Sequence, residues 1–326
     1  MSVNKSYLLS AVAVSMIILG ASCSSTVTNT NTSVNAVVPT RNLNTNSTVS
    51  TAEVGSWVPD RTGPWDGSIS AVTSTDGLNF STTATTISTE AGVPNLVKLS
   101  DGTIVLTYQY FSLTNEDEFD VIAYQTSDDD GNTWSDRGLI AFDDLPGAID
   151  ANKQPMDPTL VQLEDGRLRL YFTYHEQGKA HPALYSATTE DDQITSTFIV
   201  EPTPALESTE ANLLDPAVVY FDGQWHHYTW NDASDDNYHS VSDDGLHFTL
   251  EDDIALPMDF LGQVVTTDEG LRFYGTGKGH VVSASSTDGY TWTMDTGDRV
   301  QGADPGVVQL DNGDYLMIYT SLNFNL

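Results

Sequence analysis

Cys23 is the only cysteine of the chain, so no internal disulfide can staple the fold and its core must hold by burial alone. Basic residues are scarce too. Twelve lysines and arginines stand against 46 aspartates and glutamates, a formal net charge of −34. The acidic excess runs through the whole chain, which excludes nucleic acid as a partner, because phosphates would be repelled, and disfavours strongly anionic polysaccharides. A solvated acidic surface suited to salty water accounts for it. The seven arginines are scattered, so no cationic cluster exists to grip a carboxylate or a phosphate. That ranks sialidase chemistry third among the readings and disfavours phosphorolysis. The N-terminal apolar run, Tyr7 to Leu19, is too short to span a bilayer as a mature helix.

What the sequence does have is repetition. The stretch MDPTLVQLEDGRLRLYFTYH from Met156 to His175 reads as Asp-Pro, a β-branched strand, an acidic Asp165-Gly166 turn and an aromatic strand. The phrase returns from Leu214 (LDPAVVYFDGQWHHYTW) and from Ala303 (ADPGVVQLDNGDYLMIYT), with weaker copies from Val93 and Gly262. Five copies of a two-strand unit at this period signal a propeller or solenoid.

A second repeat is interleaved with the first: a Ser-rich Asp-Gly turn followed by an aromatic, from Ser74, Ser127, Ser242 and Ser285. The copy SDDDGNTW has the spacing of the Asp-box that sialidases and other propellers carry. In such a turn the Asp accepts amides, the Gly takes positive φ and the aromatic plugs the gap between sheets, so the box is a folding device that says little about chemistry. Each repeat thus supplies four strands. The first box precedes any hairpin of its own, whereas the last hairpin has no box after it. The expected fold is all-β, a five-bladed β-propeller with four-stranded blades, the last blade closed by N-terminal strands near Gly67–Thr73 and Asn79–Ile87.

Residues 1–22 resemble a bacterial lipoprotein signal peptide, which implies that Cys23 is the lipidated residue, with ordinary secretory cleavage as the alternative. Residues 23–56 are Ser, Thr, Asn and Val with few large apolar side chains, the composition of a disordered tether. The propeller is assigned to 57–326. The expected protein is exported and monomeric, held by its lipid at an outer membrane or cell surface, or facing the periplasm.

In a propeller the starts of the inner strands and the loops between second and third strands emerge on one face. Asp157, Asp215 and Asp304 are therefore expected to converge on one axial mouth as acid–base groups, although Asp before Pro is also a turn signal in its own right. The phrase, five times over and opening on Asp-Pro in three copies, resembles the five-bladed glycosidase superfamily of arabinanases, β-xylosidases and invertases. In the arabinanase branch that resemblance implies a general base at the place of Val93, a pKa-tuning Asp at Asp157 and a general acid at Asp215, where the family has Glu. Val93 cannot be a base, and Asp304 is the carboxylate that could replace it. The loops His175–His181 and Gly275–His280 share the same mouth, so His175, Glu176, His181 and His280 are candidate substrate-binding residues, with Trp65 and Trp230 as sugar-stacking aromatics. The acidic loops 115–120 and 231–236 lack metal-ligand spacing. No metal site is therefore assigned and no cofactor is expected to be required, calcium being the cation such loops would suit. The resulting expectation is an exported glycoside hydrolase with carbohydrate as its partner, acting on a neutral glycan. The alternative is a surface lipoprotein that binds glycans without cleaving them.

Overall fold

The computed structural model describes residues 66–147, 155–230 and 237–321. Cys23, the segments 1–22 and 23–56, Trp65 and the loop 231–236 lie outside these. Five antiparallel sheets stand around one axis, each inner strand touching the next and the fifth touching the first. Blade I runs outward from Ala91–Lys98 through Ile104–Phe111 and Phe119–Ser127 to Gly138–Leu139. Blade II begins at Met156–Gln162, blade III at Leu214–Phe221, blade IV at Phe260–Thr267 and blade V at Ala303–Gln309. Two blades carry an extra strand. Phe142–Asp143 pairs in parallel with the outer strand Phe198–Val200 of blade II, and Val300–Gln301 pairs with the third strand of blade IV.

Blade V closes as the sequence implies. Ser68–Ser74 pairs with Tyr315–Ser321 in unbroken register from Ser68↔Ser321 to Ser74↔Tyr315, and Thr85–Thr89 forms the outer strand. That outer strand starts later than the expected Asn79 because the box turn and a bridge between Ser74 and Phe80 occupy the residues before it.

The core is divided among the five blade interfaces, since each sheet packs one face on its neighbour. Leu99, Val105 and Ile122 of blade I, for example, meet Leu160, Leu170 and Phe172 of blade II. Second strands are sandwiched on both faces, so Ile104–Phe111 and Leu168–Tyr174 are buried throughout.

The box turns tie blade to blade. Asp244 Oδ1 accepts the amides of Leu246 and His247 at 2.8 and 2.9 Å, and the Ser242 hydroxyl donates to the same oxygen. Against the opposing effect of burial, the His247 ring at 2.9 Å from Oδ2 and these donors hold the Asp244 carboxyl well below the usual carboxylate range. From the preceding blade, the hydroxyls of Tyr171, Tyr228 and Tyr274 each donate at 2.8 Å to the box carbonyls of Gly245, Gly289 and Gly77. A Cβ on Gly245 would lie 2.8 Å from the Tyr171 hydroxyl, and its φ is +70°, so both space and backbone demand glycine.

Side chains also lace the inner strands. Asn95 Oδ1 accepts from the amide of Leu160 at 3.0 Å, while Gln263 of blade IV bonds Leu96 of blade I and Val307 of blade V, reaching over the axis.

Candidate functional site

Every inner strand slips register near its start: between Gly92 and Asn95, Met156 and Thr159, Leu214 and Ala217, Leu261 and Gln263, and Ala303 and Gly306. Four of the five bulges contain proline, which has no amide to give the ladder, and bulges re-aim the side chains they carry. The residue before that proline is left-handed in every case, with φ of +49° at Val93, +56° at Asp157, +50° at Asp215 and +46° at Asp304. A β-branched residue in this region is out of its ordinary range. Val93 holds the conformation because the fold imposes it on all four blades.

The five bulge residues, Val93, Asp157, Asp215, Leu261 and Asp304, line a single cavity of about 10 Å³, room for one water. Asp157 and Asp215 come from adjacent blades. Asp304 stands apart from them, with Val93 on one side and Leu261 on the other. All three aspartates are half-buried, and no cation lines the cavity.

Their amides and carboxylates find separate partners. The Asp215 amide donates to Asp157 Oδ2 at 3.4 Å, the Asp304 amide to Thr276 Oγ1 at 2.9 Å and the Val93 amide to Thr320 Oγ1 at 3.1 Å. Burial and the charges of Asp157 and Asp304 push the Asp215 carboxyl well above the usual carboxylate range. Burial also raises Asp157, against the opposing pull of the Thr173 hydroxyl and the Asp215 amide. Asp304 is pushed up to about 7 by burial and by the charge of Asp157, with the Thr320 hydroxyl acting the other way. All three carboxyls are thus raised, and like charges on one small cavity disfavour holding all three ionised together.

The loop candidates have local partners of their own. His175 is buried with Nε2 3.2 Å from the Lys179 carbonyl, and the Tyr185 hydroxyl donates to Glu176 at 2.6 Å. His181 Nδ1 is 3.0 Å from Asn212 Oδ1, and Lys179 pairs with Glu207 at 2.7 Å. The fold gathers these residues around the blade II loop, but none lines the aspartate cavity. His280 Nδ1 is 3.3 Å from the Lys278 carbonyl, on blade IV. Trp230 pairs in register with Leu214, the neighbour of Asp215, and packs on Phe260 with ring centroids 4.6 Å apart. The strand histidines His226 and His227 are both buried, and His226 Nδ1 lies 3.0 Å from Nε2 of the buried His239. Burial lowers all three, His227 to about 3 and His239 to about 4. Among the described residues no group of three or more His, Cys, Asp or Glu is placed to hold a metal ion.

Sequence reading missed the threonines. Thr173 and Thr320 pair with the residue just before the bulge in blades II and V, where blade III has Trp230 and blade I has Gln109, and in blade IV Thr276 pairs with Phe260, one place earlier. The signal was a Thr at the end of each second-strand phrase, in FTY, GTG and YTS.

The BNR repeat-like domain family matches the chain over residues 60–323. No curated protein sequence matches it. Among solved structures, a β-xylosidase has a TM-score of 0.54 at 15% identity, covering 72% of this chain and 93% of that one. A family 117 glycoside hydrolase from the marine bacterium Zobellia galactanivorans has a TM-score of 0.52 at 13% identity, covering 83% and 90%. An exo-β-1,3-galactanase from Phanerochaete chrysosporium has a TM-score of 0.51 at 13% identity, covering 78% and 65%. At such identities the likeness is one of fold.

Proposed function

This chain belongs to the BNR repeat-like domain family, and from that premise we propose that its axial mouth is the active site of a glycoside hydrolase acting on a neutral glycan. The observation that carries the reading is the set of three aspartates on one cavity without a cation, each carboxyl raised by burial. Glycosidic cleavage needs one carboxylic acid to protonate the leaving oxygen and one carboxylate to activate water or attack the sugar. Asp215, kept neutral, serves as the acid. Asp304, poised near neutral pH, serves as the ionised partner, and Asp157 carries the charge that keeps the proton on Asp215. The propeller hydrolases among its structural neighbours support carbohydrate as the partner. The net charge of −34 supports a neutral one.

Val93 favours a second reading. An apolar residue fills the ring position where the resemblance places a base, as suits a surface protein that binds glycans without cleaving them. We also propose export and lipid attachment at Cys23, on the strength of the N-terminal sequence. The purified chain, tested on a panel of aryl-glycosides and neutral polysaccharides, decides between the two. Turnover that Asp304→Asn loses on the whole panel, and Asp215→Asn on the polysaccharides, supports hydrolysis, and binding without turnover supports the second reading.

A further inference from the structure

Tyr220 departs from its repeat. Near the end of each inner strand one residue pairs across the hairpin in equivalent register: Lys98↔Ile104, Gln162↔Leu168, Tyr220↔Trp225, Thr266↔Leu271 and Gln309↔Tyr315. Outside blade III that residue is polar, and in three blades it ties down a hairpin. Gln162 Nε2 donates to the Gly166 carbonyl and Gln309 Nε2 to the Gly313 carbonyl, each at 3.2 Å, while Lys98 pairs with Asp311 at 2.6 Å. Tyr220 instead lays its ring beside Trp225, with centroids 5.3 Å apart and planes at 58°, and is 48% exposed. The cross-strand partners Ile104, Leu168, Leu271 and Tyr315 are buried, but Trp225 is partly exposed. Closing the hairpin does not demand this pair, since the other blades close theirs with a polar residue at the same place. Trp225 is held from behind: its ring centroid lies 6.3 Å from that of Tyr171, and a Cβ on Gly245 would come within 3.0 Å of its Cε2. The two rings thus form a platform set in place before any ligand arrives.

We infer that Tyr220 and Trp225 form a glycan-binding site separate from the mouth, a stacking platform for a neutral sugar ring on the opposite face. Carbohydrate as the class of partner is shared with the reading of the mouth, but hydrolysis is not required. The C–H face of a sugar ring fits the electron-rich face of an aromatic ring. Its hydroxyls have acceptors in two exposed carboxylates, Asp222 in the turn joining the pair and Asp243, which accepts from Gln224 Nε2 at 3.4 Å. Those charges turn away an anionic ligand. The patch is too small for a protein partner. The other exposed large hydrophobics among the described residues, Leu139, Ile199, Leu250 and Tyr290, stand on outer strands and a box turn. No apolar face approaching the roughly 800 Å² per partner of a stable protein interface therefore gathers around the pair. A polysaccharide held here stays close to the protein while another stretch of it is free to enter the mouth.

The test is affinity electrophoresis of the full chain in native gels cast with arabinoxylan, galactan or mannan. At least one of the three is expected to retard the wild type. Tyr220→Gln, the side chain that blades II and V use at this place, should weaken that affinity roughly tenfold, and Tyr220→Phe should keep it. Tm and turnover of a small aryl-glycoside should be unchanged in both variants. A wild type that none of the three retards, or one retarded no more than Tyr220→Gln, overturns the inference. So does oligolysine binding that Tyr220→Gln weakens while polysaccharide affinity stays, which gives the pair to a cationic peptide. A wild-type dimer that Tyr220→Gln splits in sedimentation gives it to a second copy and overturns it as well. Affinity lost in Tyr220→Gln of a chain without turnover upholds the platform and removes the hydrolase reading. Turnover with affinity unaltered in Tyr220→Gln does the reverse.

Discussion

The backbone amide of Asp215 donates to the carboxylate of Asp157 at 3.4 Å, so the proposed acid is tied through its main chain to a charge that, after burial, raises its carboxyl. Removing that charge should let Asp215 ionise earlier. In Asp157→Asn the alkaline limb of the kcat/KM profile is therefore expected to move to lower pH. A limb that stays in place would mean that Asp157 does not tune Asp215.

The two proposed reacting carboxylates should separate by leaving group. Without its acid, Asp215→Asn is expected to lose turnover of substrates with poor leaving groups by roughly 10²-fold or more, while activated aryl-glycosides are affected far less. Asp304→Asn should depress both alike. Equal losses in the two variants would show that neither has the assigned role.

Asp304 also links pH to stability. Its folded pKa of about 7 lies above the ordinary aspartate value of 3.8, so its contribution is fully present below about pH 4 and is lost as the pH rises through 7. Asp304→Asn escapes that loss. Its Tm relative to wild type is expected to climb between pH 5 and pH 8, a stabilisation obtained at the expense of activity. Thermal melts across that window check it, and a flat difference would contradict the burial of this carboxylate.

On the opposite face the effects should be on stability alone. Tyr171→Phe leaves the Gly245 carbonyl without its donor at a cost of about 1 kcal/mol. Gly245→Ala adds backbone strain and a contact at 2.8 Å, for about 1–3 kcal/mol. Because both changes act on one contact, the double variant should fall short of their sum. Activity per folded molecule, measured beside chemical denaturation, should be unchanged in all three. A folded variant with altered turnover would show that the boxes reach the mouth.

The propeller was legible because its repeat is local. Asp157, Asp215 and Asp304 occupy one place in a phrase whose strands alternate and whose turns carry glycine, and the closing strands followed from counting boxes against hairpins. The raised state of Asp215 was expected from the charge of Asp157, whereas burial is the larger cause. The loop histidines could not be placed from spacing alone. His175 turns back onto the carbonyl of Lys179, a tertiary choice that no periodicity encodes. The place of the threonines was hidden because the similar phrases FTY and YTW are out of step by one residue: Met156 pairs with Thr173, but Leu214 pairs with Trp230 rather than Thr229.

Blades I to IV are each drawn from one continuous stretch, but blade V joins residues as far apart as Ser68 and Ser321. Its N-terminal strands emerge first during synthesis and meet their partner last, a long-range pairing of the kind that folds slowly. Their composition, SISAVTS and TTIST, is rich in hydroxyls, which limits the stickiness of an edge left waiting. The contact between Val93 and Thr320 spans the same seam between blades V and I. A chain halted before closure would therefore hold Asp157 and Asp215 in place while Asp304 remained unset, so the proposed site would be complete only with the final step of assembly.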